Sequence, residues 1–391
     1  MPHGRTAALG GRRYRCVSGE HETTVYNSCG DRHCPQCAGA KRSNWLESTS
    51  ELLLPGVNYF QVVFTIPQQL SSLALGNRRA LYDLLFHSAW RALRETIAEE
   101  QGFEAAAGMV LHTWDQRIKQ HAHIHAFVPG GGPSLTGDRR WMTSQRPNVP
   151  RQDGPYLVDA DALRLLFRKI FLRGLRRLHA RGKLKLDGDY RPYRDQSAFD
   201  TFLAPLETIK WGTHIEPPPS DDCSPQHVLK YLARYLTGGP ISDRRLISHE
   251  NGMVKVWARQ GTTPGGDREQ VPVELTGTEF VRRWSLHILP KNYFKTRRYG
   301  GYSNVHCQRY LAECRKLLNP DGLDSQAEST DGLTLDDASD VPLAGEPPAS
   351  DRTECRCPKC GKSMFCIEAT ARPSWSIVMH GRDRPHWYAD G

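Results

Sequence analysis

The chain has 391 residues, enough for one large core with small modules attached. Its formal charge is +9, yet residues 321–354 hold ten acids against one base, Arg352; the remainder therefore carries +18, which suits a polyanionic partner. No stretch approaches the roughly 20 apolar residues of a membrane span, the opening residues lack a signal-peptide pattern, and most of the 11 cysteines lie near the two ends, so an intracellular, metal-binding protein is expected rather than a membrane or disulfide-framed secreted one.

Residues 11–45 crowd Cys16, His21, Cys29, His33, Cys34 and Cys37 together. Thiolates and imidazoles at this density suit tetrahedral zinc, and Cys34-Pro-Gln-Cys37 has the form of a zinc knuckle. A reduced, cysteine-rich loop is the alternative. Residues 41–100 read as helix, strand, helix, with the β-rich run Phe60–Ile66 closed by Pro67 and helical spacing across Ala80–Ile97.

The most informative stretch follows. From His121 to Val128 the sequence alternates, placing His121, His123, His125 and Phe127 on one strand face and Ala122, Ile124, Ala126 and Val128 on the other. Met109–Trp114 reads as a second strand, and a turn near Gln116–Lys119 folds the two into a hairpin that sets His112 beside the histidine row. Such imidazoles can converge on one cation. His121 is left outside its ligand shell. The bland alternative is a polar face on a half-exposed strand.

Residues 129–155 are expected to form a loop at the mouth of this site. Asp159–Lys185 predicts a helix with Leu163, Leu166, Phe167, Ile170 and Phe171 inward and arginines elsewhere; these either solvate the helix or follow a phosphate backbone. Ser224-Pro225 and Gly238-Gly239 frame a short helix over 224–237. It carries Tyr231 and Tyr235 one turn apart, beside Lys230 and Arg234. Taken alone, two tyrosines at this spacing are commonly packing residues.

Val254–Arg259 reads as a strand, and Thr276-Gly277-Thr278-Glu279 opens a helix with capping-box spacing. Lys291, Lys295, Arg297, Arg298 and Tyr299 then interleave basic and aromatic side chains, as a single-strand groove needs for phosphate contact and base stacking. An exposed basic turn would look similar. Residues 319–354 have the composition of a disordered linker, and Cys357-Pro-Lys-Cys360 beyond it makes a second possible zinc knuckle.

These residues carry a resemblance. His123-Ile124-His125 followed by Ala-Phe-Val resembles the histidine-hydrophobic-histidine (HUH) signature of single-strand DNA endonucleases, and His112 stands where the relaxase branch has its third histidine. The Tyr231/Tyr235 spacing, placed after the histidine strand, is similar to that of the two-tyrosine rolling-circle insertion-sequence transposases of the IS91 type. The run around Cys29 to Cys37 resembles the zinc-binding domain that precedes their catalytic domain, with one departure: Gly19 stands where that family usually has a cysteine, so His21 or His33 would complete the shell.

The resemblance implies an α+β fold, with an RRM-like antiparallel palm, helices on its faces and small zinc modules. The expected domains are a zinc-binding domain over 1–50, a catalytic domain over 51–318, an acidic linker over 319–354 and a cysteine cluster over 355–391. The implied activity is DNA transposition on single-stranded DNA in a bacterial cytoplasm. His112, His123 and His125 would hold Mg²⁺ or Mn²⁺, and Tyr231 and Tyr235 would act as nucleophiles. Cys16, Cys29, His33, Cys34, Cys37, Cys357 and Cys360 would bind structural Zn²⁺. Lys230, Arg234, Lys291, Lys295, Arg297, Arg298 and Tyr299 would contact DNA. A replication initiator with the same chemistry, or a non-catalytic zinc-dependent regulator, are the alternatives.

Overall fold

The nine-residue strand Ala106–Trp114 pairs from Gly108 onward with the next, ten-residue strand across a short turn, with a register shift between His112 and Trp114, and the rest of the larger unit is laid around that pair. The computed structural model describes residues 6–29, 34, 49–146, 155–218, 239–260, 269–319 and 356–373. Residues Met1–Lys41 and Asp324–Gly391 form one unit and Arg42–Leu323 the other.

In chain order the strands and helices are β1 (Gly11–Cys16), β2 (Glu22–Tyr26), β3 (Tyr59–Thr65), α1 (Ser71–Gly76), α2 (Arg78–Glu100), β4 (Ala106–Trp114) and β5 (Gln120–Pro129). There follow β6 (Gly131–Pro133), β7 (Trp141–Thr143), α3 (Ala160–Ala180), α4 (Gln196–Thr208), β8 (Gly212–Glu216), β9 (Leu246–Glu250) and β10 (Met253–Gln260). The last are β11 (Glu269–Thr276), α5 (Gly277–Ser285), β12 (Thr296–Gly300), α6 (Cys307–Leu318) and β13 (Met364–Thr370). The architecture is α+β.

In the larger unit, β12-β4-β5-β3-β8 make an antiparallel five-stranded sheet. Ala122, Ile124, Ala126 and Val128 turn toward α2, α3 and α4, where they join Phe64, Leu85, Phe86, Phe167 and Phe171 in the main core. Alternation thus assigns one face wholly to packing and leaves the other for the histidines. α3 starts where the Asp159 carboxylate accepts from the backbone N–H groups of Asp161 and Ala162, and α5 where the Thr276 hydroxyl accepts from Glu279 N–H, as the capping spacing predicts.

The histidine face is covered at its Phe127 end. There Phe127, Val110, Tyr302, Tyr310 and Leu311 pack with Leu52, Leu53 and Leu54 in a second core. Gly108 is required at this point: a Cβ on it would lie 2.0 Å from the Phe127 ring. Toward the other end Thr65, His121 and His123 are only partly buried among the described residues.

A second antiparallel sheet, β9-β10-β11 with α5, grips the tip of the β4–β5 hairpin. The Asp115 carboxylate accepts from Arg117 and Lys119 N–H to form the turn, and Ile118 takes a left-handed φ of 59°. That conformation is costly for a β-branched residue. It is held because the Ile118 side chain is fully buried with Ile241, Val254 and Val256. Three further bonds clamp the turn: Arg245 to Gln116 O, Arg283 to Arg117 O, and His287 Nε2 to Ile118 O at 3.0 Å.

The stretch expected as a loop over 129–155 contains the short β6–β7 hairpin, paired through Gly131–Thr143 and Pro133–Trp141; residues 147–154 lie outside the described residues. So does most of the acidic stretch, 320–354, and the tyrosine-bearing segment 224–237.

In the other unit, β13-β1-β2 form an antiparallel sheet. Sequence suggests a cysteine module at each end of the chain. Here β13 pairs directly with β1, with Gly11 opposite Thr370 and Cys16 opposite Met364.

Candidate metal centre

β4 and β5 pair so that His112 stands directly opposite His123, while Val110 stands opposite His125. Directly opposed residues share a face, and so do residues two apart on one strand. His112, His123 and His125 therefore converge. Their ring centroids are 5.4 Å (His112–His123), 4.7 Å (His112–His125) and 4.9 Å (His123–His125) apart. One nitrogen from each lies within 4.8 Å of the others. Bonds of about 2.1 Å to a central cation place imidazole nitrogens roughly 3–3.5 Å apart, so the rings need close in only modestly.

Neighbouring groups aim these rings. The His123 Nδ1–H donates to the His121 carbonyl at 2.8 Å, which leaves Nε2 with its lone pair. The His121 ring, 5.2 Å from His123, stays outside the convergent group. Trp114 stacks on His112 at 4.5 Å with 22° between the planes. Behind it His287 donates from Nε2 to Ile118 O, so its Nδ1 accepts from the Thr113 hydroxyl at 3.1 Å.

Gln61 on β3 lies 3.2 Å through Nε2 from His125 Nδ1, buried, while its Oε1 has no hydrogen-bond partner. Turned over, the same amide accepts the Nδ1–H of His125 through Oε1 and leaves Nε2 of His125 free for a cation. The donor set fits a divalent ion on that ground: the orphaned Gln61 oxygen is satisfied in the tautomer that coordination requires.

Burial favours the neutral form of three of these histidines. It lowers His121, lowers His123 well below the usual imidazole range with help from its two histidine neighbours, and pushes His125 down to about 4. A neutral imidazole is the ligating form.

The basic-aromatic segment divides by strand parity. Thr296 pairs with Val110 and Arg298 with Gly108, so Arg298 shares the histidine face. Arg297 points to the helical side, where it pairs with Asp83 and lies 4.3 Å from the Phe86 ring centroid. Tyr299 stacks on Trp90 at 5.4 Å. Lys291 and Phe294 are exposed, and Lys295 is half-buried. Tyr231, Tyr235, Lys230 and Arg234 lie outside the described residues.

A second convergent group lies in the smaller unit. Sulfur atoms of Cys16, Cys357 and Cys360 lie within 4.8 Å of one another, with Cys16 and Cys360 at 3.3 Å. The Ser18 hydroxyl donates to Cys16 Sγ at 3.0 Å and holds that thiol down at about 7. Cys29 and Cys34 are buried against Leu9, apart from this group; His33 and Cys37 lie outside the described residues.

Gln61, Trp114 and His287 are the site neighbours that sequence reasoning missed. Gln61 carried a usable signal as the one amide inside the run Tyr59–Ile66.

Comparison with known proteins places this geometry. Residues 107–309, which include the histidine hairpin, match the Y2_Tnp family model, described as "Putative transposase"; residues 1–66 match the model "Transposase zinc-binding domain" of IS91 elements. The chain is 37% identical over 316 residues to "Putative transposase y4qJ" of Sinorhizobium fredii, covering 80% of this chain and 75% of that protein. It is 26% identical over 328 residues to the transposase for insertion sequence element IS801 of Pseudomonas savastanoi pv. phaseolicola, covering 80% and 71%. Among the described residues no helix is long and apolar enough to cross a membrane. The chain belongs to the IS91-type transposase family and carries that family's zinc-binding domain.

Proposed function

We propose that this transposase cuts and rejoins single-stranded DNA by tyrosine transesterification. The observation that carries the reading is the convergence of His112, His123 and His125 on the partly open face of an antiparallel sheet, with burial favouring the neutral form of His123 and His125. Positions left open for water and phosphate oxygens leave room for Mg²⁺ or Mn²⁺, and the three imidazole nitrogens favour the softer Mn²⁺ of the two. When bound there, such an ion supplies positive charge for a scissile phosphate.

The chain's own residues do the rest. Tyr231 or Tyr235 attacks phosphorus in line; the phenolic oxygen forms the new P–O bond and gives up its proton. The bond to the 3′ oxygen breaks, and that oxygen takes up a proton, leaving a 5′-phosphotyrosine and a free 3′-hydroxyl. A phenol with a pKa near 10 needs a positive surrounding to react at neutral pH, which Lys230 and Arg234 on the same predicted helix contribute. Two tyrosines allow a held strand and an attacking one, so cutting and joining need no nucleotide cofactor. Arg298, on the histidine face, holds phosphate there, and Lys291 and Lys295 just before β12 add positive charge; Arg297 and Tyr299 hold β12 to α2 instead.

Metal-dependent nicking of labelled single strands tests the reading. Cleavage in Mn²⁺ that stops in chelator supports it. Binding without cleavage would favour a zinc-dependent regulator.

A further inference from the structure

The segments around Cys16 and around Cys357–Cys360 meet at one cluster of thiols. β1 ends at Cys16, and the turn after it closes with Gly19 N–H on Cys16 O at 2.8 Å and Cys16 N–H on His21 O at 2.9 Å. Residues 356–363 make a matching hairpin: Arg356 bridges Ser363, Cys357 N–H donates to Lys362 O, and Gly361 N–H donates to Cys357 O. The two turns are tied together. Val17 N–H donates to Ser363 O at 3.2 Å, and Cys16, Cys357 and Met364 bury one another with Tyr14 against them.

We propose that Cys16, Cys357 and Cys360 bind a single structural zinc ion that joins residues 11–26 to residues 356–370, so that the two cysteine-bearing ends share one site. Three observations support it. The thiols are free and converge on a common point, with 3.3 Å between Cys16 and Cys360 sulfurs, near the roughly 3.8 Å that a tetrahedron of 2.3 Å Zn–S bonds requires. The Cys357-Pro-Lys-Cys360-Gly361 turn is wound so that both sulfurs face Cys16. Finally, the apolar part of the cluster is only Cys16, Cys357, Met364 and the flank of Tyr14, too little core to hold two hairpins without a metal.

The inference is independent of the catalytic reading. It also separates Cys16 from Cys29 and Cys34, which are buried elsewhere in the unit around Leu9. A Cβ built on Gly19 meets nothing within 4 Å, so the position three residues after Cys16, where a second thiol of that turn would stand, is open.

The test uses the full-length chain. Zinc per chain is measured for wild type, Cys16→Ser, Cys360→Ser and the double variant. A shared site predicts that each single variant loses one equivalent and that the double variant loses no more than either single one. Separate sites at the two ends predict additive losses, and that result would overturn the proposal, as would full retention of zinc in the singles.

A second readout covers misfolding. Cys360 is exposed, so as a free thiol it should react quickly with N-ethylmaleimide. In zinc-loaded wild type, mass spectrometry should find Cys16, Cys357 and Cys360 alkylated together and roughly tenfold or more slowly than after chelation. Cys360→His, which keeps a zinc donor, should preserve protection of Cys16. Rapid alkylation of Cys360 in the zinc-loaded wild type contradicts the site.

Discussion

His112 and His123 face each other across the β4–β5 ladder with their rings 5.4 Å apart and nearly perpendicular, at 87°. That pairing brings a residue from one strand into a cluster otherwise built on the other. It makes the site a property of hairpin register: a one-residue slip would send His123 and His125 into the aliphatic core.

His123→Ala or His125→Ala should therefore abolish Mn²⁺ binding and nicking while leaving DNA binding nearly intact. His121→Ala should be mild, since only its backbone carbonyl serves the site. Titration of Mn²⁺ followed by its paramagnetic signal, with a parallel gel-shift series, checks this. Undiminished nicking by both alanine variants would remove the assignment.

Gln61 should act as a positioning residue. Gln61→Leu loses the amide oxygen that accepts from His125 Nδ1–H, and an outer-shell loss of this kind weakens metal affinity by roughly 10–100-fold. Gln61→Glu keeps an acceptor there and should bind Mn²⁺ at least as well as wild type. Equal affinity of Gln61→Leu and wild type would show that the contact does not orient the ring.

Acid should loosen the metal-free protein in a defined window. Burial holds His125 at about 4 and also lowers His287, whereas both titrate near 6.5 in the unfolded chain. As pH falls, the unfolded chain takes protons first. The stability that these rings contribute is complete above about 6.5 and is lost from there down toward their folded values. Between pH 7.5 and 5.5 the loss from His125 alone is about 1 kcal/mol, with His287 adding in the same direction, read by urea unfolding in chelator. His287→Gln should flatten the dependence. A pH-independent wild type would contradict the burial argument.

The hairpin tip offers a mechanical test. Ile118→Ala removes an apolar side chain buried with Ile241, Val254 and Val256, and should cost about 2–4 kcal/mol. Amide exchange in residues 112–123 should accelerate more than in α2. Unchanged exchange there would mean that the second sheet does not brace the hairpin.

Much of this arrangement is legible in the sequence because it is local. The alternation of His121–Val128, the Asp115–Lys119 turn and the Thr276 cap each lie within a few residues of what they determine. Gln61 stands out in the sequence only as an amide within an apolar run; that it meets His125 depends on how β3 pairs with β5, 64 residues away. The union of Cys16 with Cys360 spans 344 positions and leaves no periodic trace. Arg297 and Arg298 are adjacent and alike, and only the strand register assigns them to opposite faces.

The central claim is most directly tested by the covalent intermediate. Labelled single-stranded oligonucleotides tiling the DNA that flanks the coding region would be incubated with full-length protein and Mn²⁺, then resolved on a denaturing gel, with adducts mapped by peptide mass spectrometry. The account predicts a protein-linked 5′ end on Tyr231 or Tyr235, absent in chelator, in His123→Ala and in the Tyr231→Phe/Tyr235→Phe double variant. An adduct that persists in the double variant, or one that forms equally well without a divalent cation, would contradict it.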